Sequence, residues 1–215
     1  MIKPKEILSL AIALIILSFS NSFQLKKNYL VLNSSYFLSS MIFFAVILIF
    51  YETGKKFVAY QLGAEEETKI WTFQRYGIYE RAYFKNPIPI GIILPFLLSI
   101  FSLGMLKWFA VTESSVKPTE ARAARKHDFY SFYEMTEWHL ALISASGIIV
   151  MFILAIIAYL INYPELSRLS IFYAFFNLLP LGKLDGTRIF FGSKNFYAVL
   201  VAITLIFLGY AFVLA

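Results

Sequence analysis

The stretch "NLLPLGKLDG", Asn177–Gly186, closes an apolar run that begins at Leu169. Pro180 breaks a helix, because proline lacks an N–H and its ring clashes with the preceding turn. The amide of Asn177 can satisfy backbone groups that such a break sets free. A carboxylate such as that of Asp185 is costly in an apolar interior unless it is paired. We therefore expect this stretch to line a polar pocket inside an apolar bundle.

The composition is that of a membrane protein. Of the 215 residues, 60% are hydrophobic and 15% are charged, against about 45–50% and 25% in soluble domains. A spanning helix needs about 20 apolar residues, so the chain has room for five or six spans in one integral membrane domain, residues 1–215. The sequence has no cysteine, which excludes disulfides, thiolate nucleophiles and sulfur-ligated metals.

Hydropathy predicts an all-α fold, a multi-pass bundle of transmembrane helices. The first apolar stretch is expected to be a signal anchor, because "SFSNSF" matches a signal-peptidase site poorly. Residues 64–87 are predicted as an interfacial loop, and residues 117–130 as a short surface helix. The predicted spans are residues 7–23, 36–54, 138–161, 168–181 and 196–215, with a proline-containing re-entrant or kinked segment at 88–110.

The basic residues favour one topology. The net charge is +6, and if residues 88–110 return to the side they left, 16 of the 19 lysines and arginines lie on that side. Cytoplasmic loops concentrate such residues, so we expect a cytoplasmic amino terminus, five crossings and a location in the cell membrane. Basic residues between apolar runs meet lipid headgroups, and nucleic acid is not an expected partner.

Two motifs resemble those of the site-2 protease family of intramembrane zinc metalloproteases. The family pattern N-x-x-P-x-x-x-L-D-G is matched at every fixed position, by Asn177, Pro180, Leu184, Asp185 and Gly186. In that family the aspartate is the third zinc ligand, and the other two are the histidines of H-E-x-x-H on an earlier span. The resemblance implies a site-2 protease-like core between about Tyr36 and Phe191.

The earlier motif falls on residues 51–59 and departs from the family at its metal ligands. Glu52, Gly54 and Ala59 match the form H-E-x-G-H with a following alanine, whereas Tyr51 and Lys55 stand at the histidine positions. In relatives the histidine pair binds zinc from one helical face and the glutamate takes a proton from the metal-bound water. Glu52 is thus a vestigial general base, since a tyrosine is a weak ligand and an ammonium has no lone pair.

The remaining residues make a poor zinc site. Asp185 and Glu52 alone are too few and too oxygen-rich for a catalytic zinc. The two histidines, His127 and His139, would both have to reach Asp185 to rebuild one. We expect no cofactor, with Asp185 the ligand if any metal binds and zinc the metal if the protein is an active protease.

Lys55 suggests how the chain replaces the metal. An ammonium at this helical position can stand where zinc sits in relatives and pair with Asp185 and Glu52. The alternative is that Lys55, like Lys56, marks the end of a span and extends to the headgroups. The match at Asn177 implies that a pocket survives, and Gly186 is expected in a turn.

Three functions follow from these residues. The first is a catalytically degenerate site-2 protease-like protein, a pseudoprotease that binds or regulates transmembrane segments of other proteins. The second is an active intramembrane metalloendopeptidase with a non-standard metal site. The third is a small-solute or lipid-binding membrane protein, which the absence of an inverted repeat in the sequence disfavours.

Overall fold

The computed structural model describes residues 3–26, 29–32, 34–75, 83–104, 106–119 and 135–213. This part of the chain is mostly helical. The helices are α1 (Pro4–Ser22), α2 (Ser34–Gln61), α3 (Ile90–Phe101), α4 (Glu137–Leu160), α5 (Pro164–Leu178), α6 (Asp185–Gly192) and α7 (Lys194–Val213). The strands are β1 (Phe23–Lys26), β2 (Tyr29–Leu32), β3 (Ala64–Ile70), β4 (Phe73–Arg75), β5 (Tyr83–Ile88) and β6 (Thr112–Pro118).

The strands form three two-stranded sheets, in which β1 pairs with β2, β3 with β6 and β4 with β5. The all-α prediction therefore holds for the dominant structure and misses these ribbons. Where residues 64–87 are described, they contain strands rather than the expected interfacial loop. In β3 the side chains alternate, with Ala64, Glu66 and Thr68 buried, and three consecutive glutamates conceal that period of two. The predicted surface helix lies mostly outside the described residues.

Four of these helices are long and apolar enough to cross a membrane: α1, residues 36–61 of α2, α4 and α7. The predicted span at 168–181 corresponds to α5, whose 15 residues extend about 22 Å, against about 30 Å for the hydrocarbon core. Helix α3 has 12 residues and is shorter still. The number of crossings and the orientation of the chain stay predictions.

Helix α2 carries the earlier motif on its inner face. Its buried positions Leu48, Tyr51, Lys55 and Ala59 recur at helical spacing, so they form one stripe. The helix ends at Gln61 and Gly63 follows with φ 66°. This left-handed conformation favours glycine and explains why the helix stops there.

The described residues divide into two compact units, and α2 contributes to both. In the first, residues 1–45 and 69–113, α1 packs on α3. The rings of Phe19 and Phe96 stack with centroids 5.4 Å apart, and the buried hydroxyls of Ser20 and Ser99 are 2.6 Å apart. Pro95 lies inside α3, which stops after one further turn and a half. Helix α3 is thus short and continues through Pro95, and the re-entrant or kinked path of this segment stays a prediction.

The second unit, residues 46–68 and 114–215, is built around α4. This helix packs against α5 and α6, and most of its inner face is buried. Two glycines permit the close packing: a Cβ on Gly54 would lie 2.7 Å from Val150 Cγ2, and one on Gly147 would lie 2.9 Å from the Tyr51 ring. Gly54 and Gly147 therefore let α2 and α4 approach each other closely.

Gly186 sets the position of α6. A Cβ at this position would lie 1.9 Å from the carbonyl oxygen of Leu178, the last residue of α5. Only glycine lets the start of α6 approach that backbone so closely. The turn predicted at Gly186 is the first turn of this helix, and the close approach fixes where Asp185 points.

Candidate functional site

Lys55 lies at the centre of a buried charged cluster in the second unit. Its side chain is 1% exposed, and three carboxylates face its ammonium. Nζ is 3.0 Å from Glu52 Oε2, 3.6 Å from Glu66 Oε1 and 3.7 Å from Asp185 Oδ2. The ion pairs with Asp185 and Glu52 are those that the sequence hypothesis for Lys55 requires. Extension of Lys55 to the headgroups is not what the structure shows.

Hydroxyl groups complete the contacts of the cluster. Lys55 Nζ donates to Ser114 Oγ at 2.8 Å. Tyr51 Oη donates to Asp185 Oδ2 at 2.6 Å, and Ser144 Oγ donates to Asp185 Oδ1 at 2.9 Å. Both carboxylate oxygens of Asp185 are therefore satisfied, which offsets much of the cost of burying its charge.

The two glutamates are less completely satisfied. Thr68 Oγ1 lies 2.5 Å from Glu52 Oε2, to which it donates, and 3.4 Å from Glu66 Oε1. Each glutamate keeps one oxygen, Glu52 Oε1 and Glu66 Oε2, that has no hydrogen-bond partner among the described residues. The cluster thus carries more carboxylate than one ammonium can neutralise, which makes Lys55 indispensable to it.

Asp185 is the best-stabilised anion of the cluster. Burial by itself raises the pKa of this carboxyl, but the Lys55 ammonium and the Arg188 guanidinium, with the hydrogen bonds from Tyr51 and Ser144, hold it below its usual value. Arg188 also donates to the backbone carbonyl of Ser114. The start of α6 is therefore tied electrostatically to α2 and to β6.

Helical spacing explains why the α2 residues meet. Tyr51, Glu52 and Lys55 occupy positions i, i+1 and i+4 and so share one face. Lys55 Nζ lies 4.5 Å from the centroid of the Tyr51 ring, a cation–π contact. Across from them, a Cβ on Gly147 would lie 3.0 Å from Lys55 Cγ. The missing side chain at Gly147 leaves the space that the lysine and tyrosine fill.

The residues of the "NLLPLGKLDG" stretch do not all lie at the charged cluster. Asn177 is fully buried, and its Nδ2 donates to the Tyr173 carbonyl at 2.9 Å. Its Oδ1 has no hydrogen-bond partner in the part of the chain that the structure describes. Pro180 is exposed and follows Leu179, whose ψ of 133° is the extended conformation expected before proline. Pro180 therefore ends α5 but does not line the cluster.

The structure brings together four predicted site residues, namely Tyr51, Glu52, Lys55 and Asp185. Four members were missed by sequence reasoning, namely Glu66, Thr68, Ser114 and Ser144, as was the neighbouring Arg188. The alternating burial of β3 is the signal that points to Glu66 and Thr68, whereas Ser114 depends on the pairing of β3 with β6, which no local pattern shows.

Neither histidine joins the site in the described residues. His127 lies outside them. His139 is in the first turn of α4, where Thr136 Oγ1 accepts from its backbone N–H at 3.3 Å and lies 2.7 Å from its ring Nδ1. This is an ordinary helix amino-terminal cap.

The cluster does not fit a zinc ion. A zinc ligand must present a lone pair, and the Lys55 ammonium has none, while Asp185 Oδ2 already accepts from Tyr51. Within the described ranges, no group of three or more His, Cys, Asp or Glu side chains is arranged to hold a metal ion. The cation that these carboxylates face is the lysine itself.

The contact between Ser114 and Lys55 resembles a serine–lysine catalytic dyad, but its surroundings oppose that role. A lysine acts as a general base only as the neutral amine. Glu52, Glu66 and Asp185 all stabilise the charged form of Lys55. The arrangement is therefore suited to holding elements together and not to activating a nucleophile.

No protein-family model, curated protein or solved structure matches this chain. The resemblance to site-2 proteases rests on the residues of the two motifs.

Lys55→Met should destabilise the protein strongly, because it leaves buried carboxylates without their cation. Breaking a buried ion pair by removing one partner costs about 3–5 kcal/mol. The matched control is Lys56→Met, at the next and less buried position, with an expected change of about 0.5 kcal/mol or less. Thermal unfolding of the purified protein in detergent measures both.

The double variant Lys55→Met/Asp185→Asn distinguishes the effect of the unpaired charge on stability from the effect of altered packing. Asp185→Asn removes one of the buried carboxylates that Lys55→Met leaves without a cation, so it should recover part of the stability that Lys55→Met loses. Equal unfolding temperatures for Lys55→Met and Lys56→Met would contradict the assigned role of Lys55.

Proposed function

We propose that this chain is a catalytically degenerate, site-2 protease-like membrane protein, a pseudoprotease that binds or regulates transmembrane segments of other proteins. One observation carries the proposal. The ammonium of Lys55 lies within 3.0 Å of Glu52 and 3.7 Å of Asp185, at the motif position where the family has a zinc ligand.

A lysine can replace the structural role of a metal ion but not its catalytic role. Its positive charge holds the carboxylate of α6 against the helix that carries Glu52, as a bound cation would. It has no open coordination position and cannot lower the pKa of a bound water to near neutrality. Hydrolysis by the family's route is therefore lost while the scaffold remains.

The residues that would serve binding are retained. The fully buried Asn177 supports a pocket, because its Oδ1 has no hydrogen-bond partner among the described residues. Four helices suited to crossing a membrane support an integral membrane location, in which lipids and transmembrane segments are the available partners. An active endopeptidase would need a recruited histidine, and the one that is described, His139, lies in the first turn of α4 with its ring Nδ1 2.7 Å from Thr136 Oγ1.

Restoring the two histidines tests the scaffold. The double variant Tyr51→His/Lys55→His re-creates H-E-x-G-H opposite Asp185 and should bind about one zinc per chain, since the site then has three protein ligands. Adding Asp185→Ala should abolish that binding. Elemental mass spectrometry of the purified proteins measures zinc.

The matched control for the gain of zinc binding is Tyr51→His/Lys56→His, in which one imidazole lies off the inner face of α2. It should bind no stoichiometric zinc. A folded Tyr51→His/Lys55→His variant without zinc, or equal zinc in the control, would show that the scaffold is not that of a site-2 protease.

Partner binding is tested by chemical cross-linking of the wild-type chain in its own membranes, followed by mass spectrometry. We expect adducts with intact membrane proteins, because the scaffold binds without cleaving. The opposite result is a shortened partner fragment that disappears in Glu52→Gln. That outcome would establish an active protease.

A further inference from the structure

An apolar groove lies between the end of α5 and the first half of α7, away from the charged cluster. Its volume is about 70 Å³. The walls are formed mainly by Phe175, Leu178 and Leu179 of α5 and by Tyr197, Val201 and Leu205 of α7. The hydroxyl of Thr204, which also lines it, donates to the Leu200 carbonyl at 2.6 Å. The groove therefore presents almost only apolar surface.

The outer wall of the groove belongs to the least-buried candidate span. In α7 17% of the most apolar window is buried, against 56% in α4. Residues such as Val199 and Ile206 are 55% and 73% exposed. In a bilayer, α7 thus faces acyl chains, which are the apolar molecules nearest to the groove.

One end of the groove is polar and basic. Lys194, Tyr197, Val201 and Leu205 are spaced at i, i+3, i+7 and i+11, so the exposed Lys194 lies on the same face of α7 as the groove. Tyr197 Oη donates to the Leu178 carbonyl at 3.3 Å and marks this end.

The segment that connects α5 to α7 is positively charged. It contains Lys183 and Arg188, α7 begins with Lys194, and Asp185 is the one acidic residue among these positions. Asp185 is buried and paired with Lys55 within the cluster, whereas Lys194 is exposed. The predicted topology puts the segment on the cytoplasmic side, where anionic lipids concentrate.

We propose that this groove binds one acyl chain of an anionic phospholipid whose headgroup contacts Lys194. At about 70 Å³ the groove is far smaller than the roughly 300–1,000 Å³ of whole small-molecule sites. It therefore holds a narrow stretch of an acyl chain, and the rest of the lipid lies along the exposed side of α7. The site is independent of the pseudoprotease proposal.

Native mass spectrometry of the full chain in detergent, titrated with phosphatidylglycerol or phosphatidylcholine, tests the site. We expect one phosphatidylglycerol molecule to bind tightly to each chain and phosphatidylcholine to bind more weakly. Lys194→Gln should weaken the binding of phosphatidylglycerol about fivefold and leave the binding of phosphatidylcholine unchanged. Val201→Trp, which fills the groove, should abolish saturable binding of both lipids. The controls Val199→Trp, on the exposed side of α7, and Lys5→Gln should bind as the wild type does.

Three results would overturn the site. They are equal binding of the two lipids, a Val201→Trp variant that binds as the wild type does, and displacement of the lipid by inorganic phosphate, which would indicate a free-anion site. If Val201→Trp is not monodisperse in size-exclusion chromatography, the same lipid titration of Val201→Phe, with the same controls, tests the site instead.

Discussion

Buried carboxylates in an apolar bundle require a cation, and Lys55 is the cation that this chain supplies. Glu52, Glu66 and Asp185 come from α2, β3 and α6, three elements far apart in the sequence. Each charge would be costly in isolation. The ammonium that all three face is therefore the contact on which the arrangement of the second unit depends.

The surrounding residues are explained by this requirement. Gly147 leaves room for the stems of Lys55 and Tyr51, and Gly186 lets α6 start against the backbone of Leu178. Tyr51 and Ser144 occupy the lone pairs of Asp185 that a metal would otherwise use. A cluster assembled in this way joins α2, β3 and α6 through ion pairs and hydrogen bonds.

The sequence predicts the parts of this arrangement that depend on local periodicity. Long apolar runs predict the four helices that are long and apolar enough to cross a membrane, and spacing on α2 puts residues 51, 52 and 55 on one face. The pairing of Lys55 with Asp185 follows from matching two motif halves. The contributions of Glu66 and Ser114 could not be predicted, because they depend on pairing between β3 and β6, which are more than 40 residues apart. Such pairing leaves little trace in hydropathy.

The metal content of the wild-type protein, purified in detergent without added metal and compared with Asp185→Ala, tests the central claim most directly. If Lys55 is the resident cation, elemental mass spectrometry will find zinc at background in both proteins. About one zinc per chain in the wild type, lost in Asp185→Ala, would contradict the claim and establish a working metal site.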